Sequence, residues 1–356
     1  MPERGAGERA GPGPGVAAGL ARPGSGPVAA SHGPTGRREE MLLEFVNVAK
    51  VYKGGLRGVD GVTLRLGAGL VGLLGPNGAG KSSLMRIGAT VTRPTSGQVL
   101  LDGTDVVARP DLLRRNLGYL PQDFGVYPHL TAREFLAYLA AVKGMPARVA
   151  RRRIGELLEL LELTGAGKRP LGKYSGGMLR RVGIAQALLA DPRVLIVDEP
   201  TAGLDPQQRV LLRNLLADLS GDRVVLLSTH IVSDVESVAS DIVIMAGGRL
   251  LLRGSPQDLL RQAEGQVWET TVPPADLARI RDRHLVSKMV RTDAGVRVRL
   301  LAPAPPAPDA VPAAPDLEDA YLTIIHAAPG TLGGASPGGA SPGGTAPGGT
   351  AREARR

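Results

Sequence analysis

The 356-residue sequence contains no cysteine, which excludes a disulfide framework and thiolate chemistry. Its five histidines are not spaced as metal ligands. It has no run of about 18 apolar residues, so no transmembrane helix is expected. The arginines near the N-terminus are not followed by an apolar stretch, and no secretory signal is read there. Together these absences predict a cytoplasmic chain that would reach a membrane only through a partner.

Acidic residues are outnumbered, giving a formal net charge of +9, a balance that raises nucleic acid and membrane lipid as partners. The basic residues are scattered rather than striped, however, and arginine exceeds lysine amid abundant alanine and glycine, as a GC-rich genome produces. The single run, Arg151-Arg152-Arg153, reads as a solvated helix face, and no nucleic-acid partner is expected. Much of the excess of glycine (49) and proline (29) lies at the two ends. Residues 1–40 have no apolar periodicity, and residues 328–356 repeat a theme seen in "GGASPGGASPGGTAPGGTA". Neither segment can bury enough apolar surface to offset its ordering entropy, so both are expected to be disordered. The working protein is read as Leu42 to Ala327.

Within it, Leu70-Val71-Gly72-Leu73-Leu74 is a short apolar run that predicts a buried strand. Gly75-Pro76-Asn77-Gly78-Ala79-Gly80-Lys81-Ser82 follows, and Ser83-Leu84-Met85-Arg86-Ile87 opens a helix. Strand, G-x-x-x-x-G-K-[ST] and helix together are the full context of a phosphate-binding loop. The glycines let main-chain N–H groups surround a β-phosphate. Lys81 adds a point charge toward the β- and γ-phosphates, and Ser82 offers a hydroxyl to Mg²⁺.

A second apolar strand, Val194 to Val197, ends in Asp198-Glu199-Pro200. A carboxylate at the end of a buried strand is costly unless it meets a cation or a strong donor. In a P-loop protein the cation is the nucleotide's Mg²⁺, which makes Asp198 its expected holder. Glu199 is then the carboxylate placed to orient or deprotonate an attacking water. A third strand, Val224 to Ser228, brings Thr229 and His230 to the same sheet edge, where His230 is expected to meet the γ-phosphate.

Ser175-Gly176-Gly177, in "KYSGGMLRRVGIAQALL", poses a separate question. It opens a helix predicted over Gly176 to Ala190 with bare N–H groups, a second place suited to an anion.

With these pieces in order, the sequence from about Leu42 to Leu260 resembles the nucleotide-binding subunit of ABC transporters. Gly75 to Ser82 match the Walker A loop, with Ser83 beside it. Gln122 in "YLPQDFGVYPHLT" matches the Q-loop, "YSGGMLRR" the signature, "VLIVDEP" Walker B, "AGLD" up to Asp205 the D-loop, and His230 the switch histidine. Tyr52 stands where the family stacks an aromatic on adenine. The resemblance implies an α/β fold: a P-loop core with a mixed sheet, an antiparallel β subdomain and a helical subdomain over about 123–190. It implies ATP and Mg²⁺ as cofactors, with Ser82, Gln122 and Asp198 as metal ligands. Lys81, Gln122, Glu199 and His230 are the implied catalytic residues.

The resemblance also resolves the second loop. In the family two subunits pack head to tail, so Ser175, Gly176 and Gly177 would serve ATP bound to another copy. The signature departs from the usual Leu-Ser-Gly-Gly-Gln at Tyr174 and Met178, while Ser-Gly-Gly is intact. Thr131-Ala132-Arg133-Glu134 has the form of a capping box, and "IGELLELLEL" has helical spacing. In the family this region receives a coupling helix from a separate membrane permease, which points to Phe124, Val126 and Tyr127.

After the predicted hairpin "DIVIMAGGRLLLRGSP", residues 261–327 form a small extension. "GQVWETTV" and "VRVRLLA" alternate like strands, and "APDLEDAYLTII" resembles the closing helix of drug and lipid exporter ATPases of the daunorubicin-resistance kind. The expectation is a dimeric ATPase that drives an exporter from the inner face of the membrane. A soluble ABC ATPase without a transport role and an ATP-sensing regulatory module are the alternatives.

Overall fold

The computed structural model describes residues 41–328; the segments expected to be disordered lie outside the described residues, apart from Ala328. β1 (Leu43–Val51), β2 (Arg57–Leu66) and β3 (Gly69–Leu74) lead into α1 (Lys81–Gly88), followed by β4 (Ser96–Leu101), β5 (Thr104–Asp105), α2 (Pro110–Arg114) and β6 (Leu117–Leu120). A helical stretch comes next, with α3 (Ala132–Val142), α4 (Ala147–Leu160) and α5 (Gly176–Leu188). β7 (Val194–Asp198), α6 (Pro206–Leu219), β8 (Val224–Thr229), α7 (Ser233–Glu236), β9 (Asp241–Ala246), β10 (Arg249–Gly254) and α8 (Pro256–Arg261) complete the larger part. The chain then forms β11 (Val267–Val272), α9 (Leu277–Arg283), β12 (Leu285–Thr292), β13 (Gly295–Leu301), β14 (Val311–Pro312) and α10 (Leu317–Ala327).

The central sheet has the order β10-β9-β3-β8-β7-β6. Its strands from β9 to β6 run parallel, and β10 is an antiparallel edge. The apolar runs seen in the sequence become β3, β7 and β8, buried at nearly every position, as a parallel sheet covered on both faces requires. Alternate residues of each strand feed two cores. Leu70, Leu74, Leu195, Val197, Val225 and Leu227 pack on the side of the helical stretch. Val71, Leu73, Val194, Ile196, Val224 and Leu226 pack toward the antiparallel sheet of order β2-β1-β4-β5. Each such fully buried side chain contributes about 1.5–3 kcal/mol.

The capping box predicted at Thr131 is present. Glu134 N donates to Thr131 Oγ1 (3.3 Å) and Thr131 N donates to Glu134 Oε2 (2.8 Å), so α3 starts where the sequence signals it. The helix predicted from Gly176 begins there and ends at Leu188, one residue before its C-cap Leu189. At the chain's far end, β12-β13-β11-β14 make an antiparallel sheet around Val296, Val298 and Leu300. α10 packs on α8, placing Leu317, Ala320 and Ile325 in the same core as Leu259. No helix among the described residues is long and apolar enough to cross a membrane.

The register of the central sheet positions the chemistry. Leu74 pairs with Thr229, and Asp198 with Ser228, so the segments after β3, β7 and β8 leave the sheet along one edge. Ligands in open α/β sheets bind outside these carboxyl ends.

Candidate active site

The glycine loop turns tightly against neighbouring backbone. Gly80 has φ 101°, and a Cβ there would lie 2.2 Å from the Gly58 carbonyl oxygen. Gly75 meets the same limit, its Cβ position lying 2.4 Å from the Met245 carbonyl. Pro76, Asn77 and Gly78 are exposed at the loop's crest, and Ala79 is buried beneath it. Gly80 is also the N-cap of α1 and brings no side chain to cap it, leaving the first-turn N–H groups for an anion.

Lys81 is buried, and its Nζ donates to the carbonyls of Gly75 (2.7 Å) and Pro76 (3.1 Å). Burial pulls its pKa below the usual lysine value, opposed by the nearby charges of Glu199 and Asp198. The structure thus brings Lys81, Asp198 and Glu199 together.

Asp198 is 1% exposed. Its Oδ1 accepts from Ser228 Oγ at 2.5 Å, while Oδ2 is buried with no hydrogen-bond partner. A buried carboxylate oxygen left unpaired is expensive, and an oxygen-seeking cation is the group that satisfies it. The donor set of Asp198 carboxylate and Ser82 hydroxyl therefore fits Mg²⁺. The side chain of Gln122, the third expected ligand, is exposed, and only its carbonyl is engaged among the bonds described for it.

Glu199 has a left-handed main chain, φ 47°, which costs a non-glycine residue about 1–3 kcal/mol. Its N–H donates to both Ser228 O and Ser228 Oγ (3.1 Å each), and Oε1 lies 3.2 Å from His230 Nδ1. The two turns flanking this contact share one buried carboxylate. Asp234, 2% exposed, accepts from Thr201 Oγ1 (2.5 Å) and Thr229 Oγ1 (3.3 Å).

Sequence reasoning overlooked Arg180, which lies on α5 and is 8% exposed. Its guanidinium donates to the carbonyls of Pro121 (3.1 Å), Gln122 (2.8 Å), Asp198 (2.6 Å) and Pro200 (3.2 Å), and also to Glu199 O. Burial lowers its pKa against the opposing pull of the Asp198, Glu199 and Asp123 carboxylates. The available signal was positional: Arg180 occupies the stripe of Gly177, Ile184 and Leu188, all buried. A basic residue in such a stripe requires acceptors. Ser228 and Asp234 carried no signal at all.

The remaining expected residues sit apart from this cluster in their bonding. Tyr52 Oη lies 2.9 Å from Ser83 Oγ, with Lys50 Nζ 5.6 Å from the centre of its ring. Ser175 caps α5 by accepting from Met178 N (3.3 Å). Gly177 lies against Gln208 and Leu204, while Gly176 faces open space. Asp205 caps α6, accepting from Gln208 N at 2.9 Å. Tyr174, the departure from the usual signature leucine, is buried with its hydroxyl donating to Ala166 O at 2.8 Å. Burial raises its pKa.

The family model for the ABC transporter matches residues 59–202. An ABC transporter ATP-binding protein of Bacillus subtilis, YxlF, itself uncharacterised, is 41% identical over 202 residues, covering 57% of this chain and 67% of its own. The chain belongs to the ABC transporter ATP-binding family. A second member, the doxorubicin resistance ATP-binding protein DrrA of Mycobacterium tuberculosis, is 35% identical over 244 residues, 68% of this chain and 73% of DrrA. The ATP-binding cassette MJ0796, in a dimeric post-hydrolysis structure bound to ADP and Pi, matches with a TM-score of 0.56 and 28% identity. That match covers 60% of this chain and 98% of the cassette. As a family member, the chain is an ATP-binding ABC ATPase with the cassette's α/β fold.

Proposed function

We propose that the chain hydrolyses ATP at two composite sites of a head-to-tail dimer and drives a separate membrane permease that exports a drug, lipid or other small molecule. The observation that carries the catalytic part is the sheet edge itself, where the unpaired Asp198 Oδ2 adjoins Glu199 and its His230 contact. Gly75 to Ser83 cradle the phosphates, Lys81 contributes its charge, and Tyr52 stacks on adenine. Ser82, Asp198 and Gln122 hold Mg²⁺, which when bound neutralises phosphate charge. Glu199 accepts the proton of the attacking water. His230 holds the Glu199 carboxylate from one side and faces the γ-phosphate from the other.

Ser175, Gly176 and Gly177, with Asp205 at the dimer contact, complete the partner's site through the positive end of α5. Residues 42–260 form the nucleotide-binding domain and 261–327 a small extension. Export is supported by the likeness to DrrA, a doxorubicin resistance ATP-binding protein. The permease meets the aromatic face after Gln122, at the inner side of the membrane. There Phe124 packs edge-on against Phe135 (5.9 Å between ring centres), and the exposed Tyr127 does the same against Tyr138 (5.8 Å).

Glu199→Gln tests the chemistry. Turnover is expected to vanish with ATP binding intact, leaving an ATP-bound dimer visible by size-exclusion chromatography. Wild-type turnover in this variant would remove Glu199 from the role of general base.

A further inference from the structure

Arg180 has a bonding pattern that neither packing nor a simple ion pair explains. Its guanidinium reaches five main-chain carbonyls, drawn from the two segments that leave the neighbouring strands β6 and β7. Pro121 and Gln122 follow β6, while Asp198, Glu199 and Pro200 end β7 and begin the next loop. Carbonyls converging on one buried point would repel and remain unpaired without a donor able to fan out among them. A planar fork with five N–H donors does this. A lysine ammonium, with three donors on one atom, cannot span both segments.

The target of the fork matters more than the number of its bonds. Glu199 holds a left-handed main chain at φ 47°, a conformation that persists only where its surroundings over-determine it. Its N–H is held by Ser228. Its carbonyl, and those on either side of it, are held by Arg180. The same side chain fixes the carbonyl of Gln122 and projects from α5, five residues beyond the cap Ser175.

We propose that Arg180 is a positioning residue for ATP hydrolysis. It clamps the backbone of Glu199 and Gln122 to the start of α5, so that the Glu199 carboxylate stays aimed at the water while Ser175 to Gly177 meet the partner's nucleotide. This rests on the reading of Glu199 as general base and of Ser175 to Gly177 as contacts to a second copy's ATP.

The test compares Arg180→Lys, Arg180→Ala and Glu199→Gln in the full chain, measuring ATP affinity by calorimetry, and kcat and KM by phosphate release. For Arg180→Lys, kcat is expected to fall about 100-fold, as misplacement of a catalytic group by about 1 Å does, with ATP affinity within about threefold of wild type. In Arg180→Ala, guanidinium at millimolar concentration is expected to restore turnover by at least about tenfold, with equal KCl having no such effect, because the vacated site accepts the planar fork. If Arg180→Ala does not fold, Arg180→Lys carries the test alone.

An unchanged kcat in Arg180→Lys would overturn the proposal. So would a parallel loss of affinity and turnover, an equal response to guanidinium and KCl, or failure of both Arg180 variants to fold. The underlying reading fails separately: a turning-over Glu199→Gln removes the general base whatever Arg180 does. A silent Glu199→Gln beside a fully active Arg180→Lys removes only the clamp.

Discussion

Gly176 and Gly177 are neighbours in sequence with different surroundings. A Cβ on Gly177 would fall 2.1 Å from Gln208 Oε1 and 3.2 Å from Leu204 Cδ2, contacts that a shift of the Gln208 and Leu204 side chains would have to relieve. A Cβ on Gly176 would meet nothing within 4 Å. Nothing among the described residues calls for glycine at that position, and alanine is the better helix former by about 0.5–1 kcal/mol. In the proposed dimer that open space belongs to the partner's γ-phosphate, where main-chain N–H groups must approach closely. Gly176→Ala is therefore expected to keep or raise the thermal midpoint while ATP hydrolysis falls by at least about tenfold. Unimpaired hydrolysis with a normal midpoint would show that the space stays open in the working protein.

Among the elements, the extension offers the sharpest energetic test. Asp319, in the first turn of α10, is 0% exposed, and Arg299 on β13 donates to it from Nη2 (2.7 Å) and Nε (3.0 Å) while Nη1 reaches Glu269 (2.9 Å). Removing one partner of a buried pair strands the other's charge, at a cost of about 3–5 kcal/mol. Arg299→Ala is expected to destabilise the extension by that order. Trp268, the chain's single tryptophan, lies on β11 with its indole N–H donating to Ala302 O (3.0 Å), so its fluorescence follows the unfolding in urea. A loss below about 1 kcal/mol would mean that water reaches Asp319 readily. The elements themselves were largely legible in the sequence. Continuous apolar runs marked β3, β7 and β8, and the Thr131–Glu134 box marked the start of α3. The glycine loop, Asp198, Glu199 and His230 could be found because each follows such a strand. Arg180 showed only as a basic residue in the buried stripe of α5, and Ser228 and Asp234 did not show at all, because the partners lie 18 or more residues away in the chain for Arg180, 30 for Ser228 with Asp198 and 33 for Asp234 with Thr201. Such contacts follow from tertiary packing and leave no local pattern.

For the molecule as a whole, the central claim is that no single chain completes an ATP site. The chain has one glycine loop and one Ser-Gly-Gly helix start, and the MJ0796 cassette it resembles is dimeric in its ADP- and Pi-bound structure. The most direct measurement mixes two defective proteins. Lys81→Ala removes the charge at the phosphate loop, and Ser175→Arg blocks the exposed cap of α5; each is expected to be inactive as a homodimer. In a mixed dimer both lesions fall in one composite site and the other site is wholly intact. Random pairing then predicts recovery of hydrolysis up to about a quarter of the wild-type rate. A mixture as silent as its components would mean that the two sites turn over only together, whereas a Ser175→Arg homodimer hydrolysing ATP at the wild-type rate would contradict the account.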